Sequence, residues 1–281
     1  MISKKQVEET VVQLLRKSVV EIPKDVESAI EEAFKKEEGT AREQLKAILE
    51  NIKIARRKEV PACQDTGIPI FYVKVGCKAK VDLNELKEGI VKGVARATEE
   101  IPLRPNVVDP ISRKVCKDNV YAGMPHIEFE FLNEGDFVEI TALPKGAGSE
   151  NMSALKMINP SEGLKGIKKF VIEVVAKASG NPCPPTIVGV GVGGSSDLAL
   201  IMAKKAVLRP VGSRNKDEEL DCIEGELKEK INQLGVGPMG LGGKTTCLAV
   251  HIEKAGCHTA SLPVGVNIQC WTGRKATVRI R

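Results

Sequence analysis

Residues 237–281 restrict the fold more than any other part of the chain. They open on closely spaced glycines, where a backbone turns sharply or approaches a ligand. Two β-rich runs follow, over 246–253 and 262–270, with the polar loop Gly256-Cys257-His258-Thr259 between them. Residues 1–58 carry the opposite pattern. Val7, Val11, Leu14 and Leu15 repeat at helical spacing, then Val26, Ala29, Ile30 and Ala33, then Leu45, Ile48, Ile52 and Ala55. Pro23 suits the first turn of the second helix. A chain helical at its start and extended at its end predicts an α+β fold. We expect mixed β-sheets flanked by helices, in one domain over 1–281 with a helical N-terminal portion over 1–58. Hydrophobic residues make up 42% of the chain and aromatics only 3%, so aliphatic packing must fill the core.

Between these ends the pattern alternates. A strand is expected over 68–75 and a helix over 82–99. Apolar alternation over 126–131 and 137–143, around Asn133-Glu134-Gly135-Asp136, predicts a β-hairpin. Helices are expected over 166–179 and 216–234, with a strand over 186–192 between them. Lys145-Gly146-Ala147-Gly148-Ser149-Glu150-Asn151 looks like a helix start. Its exposed N–H groups suit an anion, or Ser149 or Asn151 simply caps the helix.

Several function classes fall away. A net charge of +5 with few aromatics is not a nucleic-acid surface. No apolar run is long enough to span a bilayer, and the N-terminus begins an amphipathic helix rather than a signal segment. Eight cysteines without a secretion signal predict a reducing, cytoplasmic setting, with thiols or metal ligands in place of disulfides. Gly189, Gly191 and Gly194 match G-x-G-x-x-G. The ribose-binding acid expected about twenty residues on is replaced by Leu208-Arg209-Pro210. Gly243-Lys244-Thr245 resembles the end of a P-loop, but its earlier glycine falls on Pro238 and a strand follows.

Chemistry-bearing residues gather at element boundaries. Cys63-Gln64-Asp65 puts a thiol, an amide and a carboxylate side by side before a strand, although Asp-Thr-Gly is also an ordinary turn. Arg104 lies in a proline-framed loop, where its guanidinium can fork onto a carboxylate or simply meet solvent. Cys183 is held between Pro182 and Pro184, and Cys270 precedes the only tryptophan, Trp271. There is no C-x-x-C spacing. Buried cysteines are often mere small hydrophobes, yet three thiolates from three distant loops also suit a cubane cluster with one open iron, a Lewis acid.

Four motifs together resemble the class I fumarase and L-tartrate dehydratase family. They are Cys63-Gln64-Asp65-Thr66-Gly67, Asn181-Pro182-Cys183-Pro184-Pro185, Gly237-Pro238-Met239-Gly240-Leu241-Gly242-Gly243 and Cys257-His258-Thr259-Ala260-Ser261-Leu262-Pro263. The resemblance runs from about residue 9 to 271 and is to the α part of a two-part enzyme. It implies a [4Fe–4S] cluster on Cys63, Cys183 and Cys270. It implies that Gln64, Arg104 and the Gly146 backbone bind a small dicarboxylate. Asp65 and His258 would be a hydrogen-bonded pair that handles the proton of the leaving hydroxyl. The family's threonine base belongs to a β subunit, so the resemblance implies an oxygen-sensitive α2β2 assembly inactive without that subunit. Fumarate hydration, a tricarboxylic acid cycle step, is the first expectation, and L(+)-tartrate dehydration the alternative. A non-catalytic iron–sulfur redox protein is the rival of another class. It would need neither Gln64-Asp65 nor His258.

Overall fold

Helices form where the apolar residues recur at helical spacing, and the computed structural model describes all residues 1–281. The chain divides into two compact units. The first comprises Met1–Ile22, Ile52–Ala147 and Arg274–Arg281, the second Pro23–Asn51 and Gly148–Gly273.

In the first unit, α1 (Lys4–Val20) starts at Ser3, whose hydroxyl accepts from the Gln6 N–H at 3.3 Å. α4 (Leu83–Glu100) starts at Asp82, whose carboxylate accepts from the N–H groups of Asn84 and Glu85. Both caps satisfy donors that a helix start leaves open. Val7, Val11 and Leu15 of α1 meet Leu86, Ile90 and Val94 of α4 in one buried cluster with the sheet. The helices cross closely at glycines: a Cβ on Gly93 would stand 2.6 Å from the Val11 Cβ.

That sheet has the order β2-β1-β3-β8. Its strands are β1 (Ile68–Gly76), β2 (His126–Leu132), β3 (Val138–Lys145) and β8 (Ala276–Ile280). The expected hairpin between 126–131 and 137–143 does not form. β1 lies between the two strands, parallel to β2 and antiparallel to β3. The cause is β1 itself, buried along most of its length, so that it takes a partner on each edge. The intervening turn crosses over the end of β1: the Lys78 N–H donates to the Gly135 carbonyl and the Gly76 N–H to that of Phe137, both at 2.9 Å. β8, not anticipated, pairs antiparallel with β3. Its Arg279 stacks over the Phe137 ring at 3.9 Å and pairs with Glu139.

The second unit begins with α2 (Lys24–Lys36), which leads into α3 (Gly39–Lys58), a helix whose residues from Ile52 on belong to the first unit. Its sheet has the order β4-β7-β5-β6, made of β4 (Ala154–Ile158), β5 (Thr186–Gly194), β6 (Cys247–Cys257) and β7 (Leu262–Gln269). The helix expected after Gly146 is a single turn, α5 (Ala147–Glu150), because β4 soon follows and pairs with β7. On one face α6 (Gly163–Ala178) and α8 (Glu218–Asn232) pack Phe170, Val171, Val175, Leu227 and Ile231 against Val188, Val190, Val250, Val264 and Val266.

The other face takes α7 (Ser196–Ala206) at very short range. A Cβ on Gly191 would lie 2.1 Å from the Ala199 carbonyl oxygen, one on Gly189 2.1 Å from that of Ala203, and one on Gly265 2.6 Å from that of Ala199. The first two glycines of the apparent dinucleotide motif are therefore mid-strand packing positions. Gly191→Ala is expected to destabilise the protein by about 3 kcal/mol or more, as overpacking against backbone has no side chain to yield. Denaturant unfolding measures this. No helix is long and apolar enough to cross a membrane.

Candidate active site

In the first unit the site is built around Asp65. Its carboxylate accepts three N–H bonds. Oδ1 takes the Gly67 N–H at 2.9 Å and the Asn106 side-chain amide at 3.0 Å, and Oδ2 takes the Ala147 N–H at 2.8 Å. A carboxylate has about four lone-pair positions, so one remains for a further proton. The Asp65 carbonyl oxygen accepts from the Arg274 guanidinium. Cys63 is half-buried beside it, and Gln64 is exposed.

A polar frame holds this segment. Thr66 Oγ1 accepts from the Arg104 N–H at 2.9 Å. Asn119 is buried in the left-handed region (φ 59). Its Oδ1 accepts from the N–H groups of Asn106 and Val107, and its Nδ2 donates to the Arg104 carbonyl oxygen. The main chain at Arg104 is thus fixed, while its side chain is exposed. Gly146 leaves room for both side chains: a Cβ there would stand 2.8 Å from Arg274 Nη2 and 3.1 Å from Asp65 Oδ2. Sequence reasoning missed Thr66, Asn106, Asn119 and Arg274. Only the proline-framed stretch around Asn106 carried a signal.

In the second unit, the loops of Cys183 and Cys270 are brought together. The Trp271 N–H donates to the Cys183 carbonyl oxygen at 3.3 Å, and the Met239 N–H to that of Pro184 at 2.8 Å. Cys183 sits at φ 54 and Met239 at φ 55. Side chains other than glycine pay about 1 kcal/mol or more for that region, and such strain clusters at functional sites. The Gly237-Pro238-Met239-Gly240 motif serves this loop, since a Cβ on Gly240 would lie 2.6 Å from the Gly180 Cα. The Cys270 thiol contacts Thr272 Oγ1 at 2.9 Å. Just before it, the buried Gln269 amide has no partner for its nitrogen or its oxygen.

His258 is exposed at the end of β6, and its Nδ1 accepts from the Ala260 N–H at 3.1 Å. That bond leaves Nε2–H as the donor of the neutral ring. Asp65 and His258 belong to different units, as do Cys63 and the Cys183–Cys270 pair.

The remaining thiols differ in setting. Cys77 donates to the Asn133 carbonyl oxygen at 3.0 Å. Cys222 and Cys257 are exposed and Cys116 is half-buried. Burial pushes the Cys247 thiol up to about 12. No three His, Cys, Asp or Glu side chains form a ready metal-binding group. The half-buried thiols of Cys183 and Cys270, on hydrogen-bonded loops beside an unpartnered amide, still fit two corners of a thiolate-held cluster. The loop that imitates a P-loop is already occupied. The N–H groups of Lys244 and Thr245 donate to the buried Glu37 carboxylate at 3.0 and 2.5 Å.

A family model described as fumarate hydratase (Fumerase) matches residues 8–279. The chain is 53% identical over 279 residues to a putative L(+)-tartrate dehydratase subunit alpha of Methanocaldococcus jannaschii, covering 98% of each chain. It is 37% identical over 233 residues to an L(+)-tartrate dehydratase subunit alpha of Escherichia coli strain UTI89, covering 83% of this chain and 77% of the relative. The K12 relative of the same name is 36% identical over the same length.

Proposed function

The chain belongs to the fumarate hydratase (Fumerase) family of hydro-lyases, and on that premise we propose that it is the α subunit of an iron–sulfur L(+)-tartrate dehydratase. The observation that carries the substrate is the name borne by relatives along nearly the whole chain. It reverses the order drawn from the motifs, which put fumarate first. Fumarate remains the second reading because the family's own description names it.

In this reading Cys63, Cys183 and Cys270 hold a [4Fe–4S] cluster. When bound, the cluster supplies a Lewis-acid position for the substrate's hydroxyl and carboxylate. Gln64, Arg104 and the Gly146 N–H orient the dicarboxylate. Both Gln64 and Arg104 are exposed, and a guanidinium matches a carboxylate in geometry as well as charge. Asp65, taking a proton on its uncommitted lone pair, delivers it to the departing hydroxyl, with His258 as its partner in the transfer. The carbon-bound proton goes to a base on a β subunit, in an α2β2 assembly.

The test is anaerobic reconstitution of the chain with and without its β subunit. Oxaloacetate formed from L(+)-tartrate and malate formed from fumarate are followed. Turnover is expected only with the β subunit. L(+)-tartrate should lead in kcat/KM by at least about tenfold, because a site that hydrogen-bonds an extra hydroxyl rejects a substrate lacking it. Full turnover by the single chain would sink the two-part reading, and faster hydration of fumarate would restore the motif-based order.

A further inference from the structure

We infer that Arg274 is a positioning residue for Asp65, an inference that rests on the hydro-lyase reading above. Arg274 is among the largest fully buried side chains, 2% exposed. Its Nη1 donates to the main-chain carbonyl oxygen of Asp65, and its Nε is buried without an acceptor. Its Nη2 and Asp65 Oδ2 both lie within about 3 Å of the point where a Gly146 Cβ would stand.

A guanidinium is costly to bury, and more so when a donor goes unpaired. Packing alone would be better served by an apolar side chain of similar volume. Burial also keeps the guanidinium from a ligand arriving through solvent. Nη1 reaches the backbone of Asp65, and Nη2 stands beside the place where a Gly146 side chain would begin. Asp65 is thereby held on both sides: the carboxylate by Gly67, Asn106 and Ala147, and the carbonyl by Arg274. The main-chain bond sets where the carboxylate stands. The three carboxylate bonds alone leave the Asp65–Thr66 peptide, whose carbonyl Arg274 holds, free to tilt.

The test uses Arg274→Met and Arg274→Lys in the αβ holoenzyme. Arg274→Met is expected to lower kcat about 100-fold, the scale on which a displacement near 1 Å acts. KM should change by less than about threefold, and iron content not at all, since on this inference the buried Arg274 serves the Asp65 main chain and not substrate or cluster. Arg274→Lys, whose ammonium can donate to the same carbonyl, should recover at least about tenfold of the loss. In an Asp65→Asn background Arg274→Met should add less than about threefold, because residues acting as one unit are non-additive.

Hydrogen exchange gives a readout independent of turnover. The amides of Gly67 and Ala147, which donate to Asp65, should exchange faster in Arg274→Met while the α1–α4 core stays protected. A rise in KM at unchanged kcat would mean direct substrate contact and overturn the inference. So would a full multiplicative loss in the Asp65→Asn background, or unaltered exchange at the two amides. If the wild-type complex turned over no dicarboxylate, the hydro-lyase reading would fail, and the exchange at Gly67 and Ala147 would still decide whether Arg274 holds Asp65. Should Arg274→Met not fold, Arg274→Lys carries the same measurements, with a smaller kcat loss and partly raised exchange as the expected result.

Discussion

Cys63→Ser, Cys183→Ser and Cys270→Ser are each expected to abolish assembly of the iron–sulfur cluster. Anaerobic reconstitution of the wild-type chain should give about four iron and four sulfide per chain. A serine hydroxyl stays protonated at neutral pH and is a poor ligand for soft iron, so one lost thiolate removes one of three anchors. Cys77→Ser, Cys116→Ser, Cys222→Ser and Cys247→Ser should keep the cluster. Burial holds the Cys247 thiol at about 12, so it is protonated near neutrality. The Cys77 thiol is already donating to the Asn133 carbonyl. Cys257 is outside the prediction, because its neighbour His258 belongs to the proposed acid pair. Iron and acid-labile sulfide, measured on each variant, decide the matter. Dependence on any of the four spared cysteines would replace the proposed ligand set.

Asp65→Asn and His258→Asn are expected to retain iron and lose turnover by about 100-fold or more, the usual cost of a missing proton donor. The Asp65 variant carries a second effect. Both carboxylate oxygens face N–H donors, so the new amide NH2 meets a donor whichever way it turns. Each such mismatch costs about 1–3 kcal/mol. The asparagine should therefore loosen its own loop as well as remove the acid, and denaturation should register it. His258→Asn lacks this complication, since His258 is exposed and its one bond is local. Near-normal kcat in both variants would reduce the pair to structural polar groups.

Six of the eight strands of this fold were legible in the sequence; β4 and β8 were not, and neither were the strands' neighbours. Alternation over 126–131 and 137–143 reports that two strands each present one face to a core. It is indifferent to whether they touch or flank a third, and here β1 stands between them. β8 escaped because arginines and a lysine dominate its surroundings, although Ala276 and Ile280 are buried. The glycines of β5 were visible as a motif. Only the carbonyl oxygens of α7, some 2 Å from the missing Cβ atoms, explain them.

The candidate site divides in the same way. Cysteine, histidine and aspartate in distinctive loops stand out by residue type, and the resemblance supplies the roles proposed for them. Asn106, Asn119, Thr66 and Arg274 act through partners far away in sequence, and residue type alone gives Asn119 and Arg274 no mark. Arg274 in particular sits among basic residues that suggest a solvated end of the chain, yet it is among the deepest-buried large side chains. Fumarate and tartrate were inseparable at this level, because the motifs that bind a dicarboxylate and handle a hydroxyl serve both.

The glycine loop before β6 carries its anion with it. Lys244 and Thr245 offer the pair of amides that a phosphate would seek, and Glu37 has taken both. A tethered ligand acts at an effective concentration in the millimolar range or above, whatever the composition of the surroundings. An incoming phosphate would have to outcompete it and leave a 2%-exposed carboxylate without donors, an arrangement that costs several kcal/mol. The loop is thus a competitive binding problem already decided within the chain, and nucleotides at cellular levels are spectators to it.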